Sequence, residues 1–68
     1  MDIEVRTYKG ILNIQVGAPF IESIMGVARE LGIPCFLVYL NGLQVESPKD
    51  APAVVEEGMN IALLPYDK

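Results

Sequence analysis

Histidine and tryptophan are missing from this chain of 68 residues, and cysteine occurs once. Without histidine there is no Ser-His-Asp triad, no His-ligated zinc and no imidazole acid-base chemistry. A single cysteine, Cys35, makes neither a thiolate zinc site nor an internal disulfide framework, and it points to a reducing, cytoplasmic setting. Basic residues are scarce, five Lys and Arg against nine Asp and Glu, for a net charge of -4. No cluster of them exists to neutralise phosphates, which argues against nucleic acid as a partner. The acidic balance suits solubility and docking on a basic protein surface. No glycine-rich phosphate loop is present. No apolar run is long enough for a bilayer, and the acidic start Met1-Asp2-Ile3-Glu4 is unlike a signal peptide. The expectation is a protein that binds rather than catalyses, with no metal, no cofactor and no membrane contact.

Apolar residues make up 51% of the chain and aromatics only 7%, so Val, Ile and Leu must build the core. The length allows one domain over residues 1–68, close to the lower limit for folding on a core alone.

Residues 2 to 8 alternate, with Ile3, Val5 and Thr7 on one face and Glu4, Arg6 and Tyr8 on the other. That period of two predicts a half-buried strand. Lys9-Gly10 predicts a tight turn, and Leu12, Ile14 and Val16 continue the alternation on a second strand. Pro19 suits the first turn of a helix whose apolar stripe is Ile21, Ile24, Met25, Ala28 and Leu31. The N-cap lacks Ser, Thr, Asp or Asn. Gly32 predicts the helix end, with Ile33 packing back and Pro34 forbidding continuation.

Residues 35 to 40 are apolar on both faces, as in a central strand. Asn41-Gly42 predicts a type I′ hairpin into a short strand, Leu43 to Val45. An irregular connection follows, with one helical turn expected from Ala53 to Glu57. Met59 to Leu64 reads as the last strand. The order strand, strand, helix, strand, short strand, strand predicts an α+β domain of the ubiquitin-like β-grasp type. That fold has a mixed sheet of four to five strands with one helix packed across one face. A ferredoxin-like split βαβ arrangement needs a second full helix, which the proline-broken loop does not supply.

Four marks carry a family resemblance: Leu40-Asn41-Gly42 after an apolar strand, the Glu57-Gly58 turn, the strand Asn60 to Leu64, and Pro65 after it. In these marks and in its length the chain resembles the ThiS/MoaD family of small sulfur carriers. The resemblance implies a partner, either an E1-like adenylase or another enzyme of sulfur transfer or of thiamine- or molybdopterin-type cofactor biosynthesis. In that family a C-terminal Gly-Gly is adenylated and converted to a thiocarboxylate. Side-chain-free residues thread the narrow channel and let the carboxylate approach the phosphate. Here the last residues are Pro65, Tyr66, Asp67 and Lys68, and Met59 stands where the family has Asp. The expectation is a carrier-like protein that docks on an enzyme without carrying sulfur itself. The alternative is a genuine carrier whose Gly-Gly is missing from this chain.

The sheet faces follow from the alternation. A helix over Ile3, Val5, Ile14, Val38, Ile61 and Leu63 leaves Tyr8, Ile11, Leu37, Tyr39, Ala62 and Leu64 pointing away. Of these, Tyr8, Leu37, Tyr39, Ala62 and Leu64 form the expected protein-binding patch, since a contiguous apolar patch on a small domain marks a partner site. Pro65 to Lys68 form the tail beside it. Cys35 reads as a small structural hydrophobe. Asp2, Glu4, Glu22 and Glu30 read as solvated faces rather than a shared acidic surface.

Overall fold

Alternation of apolar residues builds the first hairpin. In the computed structural model, which describes residues 1–66, strand β1 covers Asp2–Thr7 and strand β2 covers Gly10–Gln15. They pair antiparallel, with Ile3 opposite Ile14 and Val5 opposite Leu12. Residues directly opposite share a face, so these four turn to the same side. The loop is Tyr8-Lys9, one residue earlier than expected, and Gly10 opens β2 with φ 119°. Thr7 shifts the turn. Its hydroxyl accepts the Lys9 N–H at 3.1 Å and donates to the Gly10 carbonyl at 2.6 Å.

Helix α1 covers Phe20–Leu31, with Pro19 at the N-cap and no side chain capping it. Backbone replaces the cap. The Phe20 N–H donates to the Ala53 carbonyl at 3.1 Å, the Val55 N–H to Ala18 at 2.9 Å and the Gly17 N–H to Val55 at 2.8 Å. The helical turn expected from Ala53 to Glu57 is therefore absent, and Val54 instead makes an antiparallel bridge to Pro19. A lone turn fixes several residues for one hydrogen bond. The β-branched pair Val54-Val55 is better served by extended backbone, and Val55 enters the core. The other end of the helix is as predicted. Gly32 takes φ 72°, its N–H reaches Arg29, and the Ile33 N–H reaches Ala28 at 2.9 Å. This is a Schellman ending with Ile33 buried as its apolar partner.

The buried stripe of α1 is Phe20, Ile24, Val27 and Ala28. It is rotated from the expected one: Leu31 is half-buried, while Ile21 and Met25 are 40% and 49% exposed. Positions 20, 24, 27, 28 and 31 are also at helical spacing. That set includes the bulky Phe20, so it removes more apolar area from water.

Strands β3 (Phe36–Leu40), β4 (Leu43–Gln44) and β5 (Ile61–Pro65) complete the sheet. The strand order is β2-β1-β5-β3-β4. β5 runs parallel to β1 and antiparallel to β3. The last strand in sequence is thus central in space, an order compatible with a β-grasp. The result is an α+β fold of one helix and a five-stranded mixed sheet. Val5, Ile14, Val38, Ile61 and Leu63 meet the helix residues in one apolar core, and no polar side chain among the described residues is buried. The β4–β5 connection holds a 3₁₀ turn at Pro48–Asp50 and a turn at Glu56–Met59 with Gly58 at φ 85°. No helix among the described residues is long and apolar enough to cross a membrane.

Asn41 and Gly42 take φ 52° and 86°, as a type I′ turn requires. Asn41 also clamps the start of β5. Its N–H donates to the Asn60 carbonyl at 2.7 Å, and its side-chain oxygen accepts the Asn60 N–H at 2.9 Å. Asn41→Gly keeps the positive φ and loses the acceptor, whereas Asn41→Ala loses both. Each lost contribution is about 1 kcal/mol. Thermal melts are expected to rank wild type above the glycine variant and the glycine variant above the alanine variant. Equal melts for wild type and glycine would show that the side-chain bond contributes nothing.

Candidate functional site

The helix occupies one face of the sheet and leaves the other open. On that open face the strand register sets a row across all five strands: Ile11 on β2, Arg6 on β1, Ala62 on β5, Tyr39 on β3 and Gln44 on β4. Beyond Ala62 and Tyr39, Leu64 lies directly opposite Leu37. Neighbouring strands are about 4.8 Å apart, and diagonal positions such as Tyr39 and Leu64 are about 7–8 Å apart. Both therefore belong to one local patch of the open face.

The open face has two ends of different chemistry. Toward the start of β1, Asp2 is opposite Gln15 and Glu4 is opposite Asn13. Toward the end of β5, Leu37, Tyr39, Ala62 and Leu64 make an apolar block. Leu64 is 42% exposed and Leu37, Tyr39 and Ala62 are half-buried. Arg6 and Ile11 mark the boundary, with Ile11 57% exposed. The structure thus brings four of the five expected patch residues together by direct strand pairing. Tyr8 lies outside that register, in the turn after Thr7. It is exposed there, and the Lys9 ammonium sits 5.6 Å from its ring centroid. Arg6 is not among the expected patch residues, although the alternation of β1 sets it on this face.

Pro65 ends β5 opposite Phe36, and the Tyr66 N–H donates to the Cys35 carbonyl at 2.9 Å. Both residues are exposed, so the chain leaves the sheet beside the apolar block. Asp67 and Lys68 of the expected tail lie outside the described residues. Cys35 is exposed rather than packed as a structural hydrophobe. It sits in the bend before β3, where the Gly32-Ile33-Pro34 ending has already turned the chain outward. Asp2 and Glu4 lie on the open face, while Glu22 and Glu30 belong to the helix, so these carboxylates form no shared surface. Met59 packs half-buried against the core, and its sulfur accepts the Glu56 N–H at 3.4 Å.

Among the described residues no group of three His, Cys, Asp or Glu side chains is placed to hold a metal. A groove of about 170 Å³ runs between the α1 flank and the β3–β4 side, lined by Ile21, Met25, Phe36, Val45, Pro48 and Ala51 among others. It is apolar and smaller than the roughly 300–1,000 Å³ of organic-ligand sites. The open sheet face is therefore the stronger candidate site, and the block on it is apolar. No family model matches the chain, and neither a curated protein nor a solved structure matches it.

Proposed function

We propose that the chain is a ubiquitin-like β-grasp protein of the ThiS/MoaD kind that docks on another protein through the open face of its sheet. It has no catalytic step of its own. The observation that carries this reading is the uncovered pair of apolar pairs, Leu37 with Leu64 and Tyr39 with Ala62, where β5 leaves the sheet. Such a block favours partner binding, and its place beside the emerging chain suits a docking that presents the C-terminal segment to an enzyme. The strand order and the central final strand support the β-grasp assignment. The resemblance adds the partner: an E1-like adenylase, or an enzyme of sulfur transfer or cofactor biosynthesis, in the cytoplasm.

The test separates docking from carrying. The protein is titrated into the E1-like adenylase of the same cell, then incubated with that enzyme, ATP and a sulfur donor. Docking should be measurable, and the 68-residue chain should keep its mass. Glycine lets a terminal carboxylate approach the α-phosphate closely, and positioning dominates that attack. A chain extended by Gly-Gly after Lys68 should gain about 16 Da. The carboxylate displaces pyrophosphate from ATP, and hydrosulfide, used as the sulfur donor, then displaces AMP from the acyl-adenylate without any change of oxidation state, so sulfur replaces one oxygen. The same gain on the unextended chain would overturn the non-carrier reading. No docking by either chain would remove the adenylase as partner.

A further inference from the structure

The two edges of the sheet are protected unequally. β4 has two residues and is followed by Glu46 and Pro48. Brevity, charge and proline are the usual means of keeping an edge from pairing. β2, the opposite edge, has six residues, none of them charged and none proline. The phase of its ladder is fixed by the Val16 N–H, which donates to the Met1 carbonyl. Bonded positions alternate along an antiparallel pair, so Leu12 and Ile14 bond to β1, and the backbone groups of Ile11, Asn13 and Gln15 point away from the sheet. The Gln15 carbonyl accepts the Ala18 N–H at 3.2 Å. The three N–H groups and the other two carbonyls meet no protein partner among the described residues. All three side chains are exposed.

We propose that this edge takes up an extended basic segment of another protein as a sixth strand. The charges of the neighbouring strand select it. On the open face Asp2 stands behind Gln15, Glu4 behind Asn13 and Arg6 behind Ile11. An added strand places its side chains about 10 Å from these groups, within the reach of lysine and arginine and about one Debye length. Basic residues fit opposite Gln15 and Asn13, and apolar ones fit opposite Leu12 and Ile14. The segment therefore alternates basic and apolar residues. A second copy of the chain fits less well. It brings its own Asp2 and Glu4 and another net charge of -4. Its rigid edge, about 20 Å long and 10 Å thick, gives a footprint on the order of 200 Å², short of the roughly 800 Å² per partner of stable complexes. An unfolded segment instead lays side chains over both faces. The proposal is independent of the family reading, because β2 lies across the sheet from the β3–β5 pairs.

The test uses the whole ¹⁵N-labelled chain with a capped heptapeptide alternating valine and lysine, against one alternating valine and glutamate. The lysine peptide should slow hydrogen exchange at the Ile11, Asn13 and Gln15 amides about tenfold at ten times its Kd, more weakly at high salt. The glutamate peptide should not. Asn13→Pro removes an outward N–H without breaking the β1 ladder, which an edge strand tolerates, and should abolish this protection. If that variant fails to fold, Gln15→Lys serves, and it should weaken the lysine peptide and strengthen the glutamate one. Equal binding of the two peptides, or protection centred elsewhere, would overturn the proposal. So would protection of the same amides by raising the protein concentration alone, which would make the occupant a second copy.

Discussion

Leu63→Ala leaves a large share of the molecules unfolded at 25 °C. Leu63 is fully buried on the central strand β5, across from Val38 on β3 and beside Thr7 on β1, beneath the helix. Removing such a side chain costs about 2.7–5 kcal/mol, because little can collapse into the space from a strand held on both sides. A domain this small has a stability near 3–5 kcal/mol. The loss therefore leaves a stability between about −2 and +2 kcal/mol, so the folded and unfolded populations come to within about fiftyfold of each other and near parity at the middle of the range. Phe20→Ala should act similarly, since Phe20 anchors the helix where backbone bonds to Ala53 replace a cap. Ile21→Ala, one position along and 40% exposed, should cost under about 1 kcal/mol. Urea titrations followed by circular dichroism measure all three. An Ile21 variant as damaged as the Phe20 variant would show that the helix is rotated from the orientation described.

Ile21 and Phe20 also show what the sequence makes legible. Both are apolar, and each starts a stripe through Ile24, Ala28 and Leu31, so periodicity alone leaves a rotation of one position open. The helix end was readable because Gly32, Ile33 and Pro34 act locally. The hairpin at Asn41-Gly42 was readable for the same reason. The unread features are nonlocal. The bond from Asn41 to Asn60 spans 19 residues, and the bridge from Val54 to Pro19, on residues 35 apart in sequence, stands where a helical turn was expected. The Asn41–Asn60 clamp does tie two of the resemblance's marks together physically, since it joins the hairpin turn to the start of the last strand. The open face was readable on β3 and β5 from the two-residue period of a strand once Val38, Ile61 and Leu63 were assigned to the helix side. It was misread at Tyr8, because Thr7 pulled the turn one residue forward.

The second large effect is on binding. Replacing Tyr39 and Leu64 together by Ser should weaken docking on the proposed adenylase partner at least tenfold and leave the fold in place. The two residues lie diagonally across β3 and β5 on the open face, and neither belongs to the buried core. Anchors at the centre of an interface cost about 2–4 kcal/mol each when truncated, with tyrosine prominent among them. Their effects overlap when they share one partner surface, so the double loss is smaller than the sum. The cost to the free protein has a different origin. Tyr39 and Leu64 each sit beside Leu37 or Ala62 rather than under the helix, so truncation opens no enclosed cavity. What is lost is cross-strand contact, about 0.2–1 kcal/mol per pair. Serine rather than lysine keeps the net charge of -4, so long-range attraction to a basic partner is unchanged and any loss belongs to the apolar contact. Titration calorimetry and a thermal melt on the same preparation give both numbers. A large drop in melting temperature with unchanged docking would mean that the face toward the helix and the face toward the partner had been exchanged. Unchanged values of both would move the interface elsewhere on the protein, because an apolar pair at the centre of a contact cannot be removed without a cost in affinity.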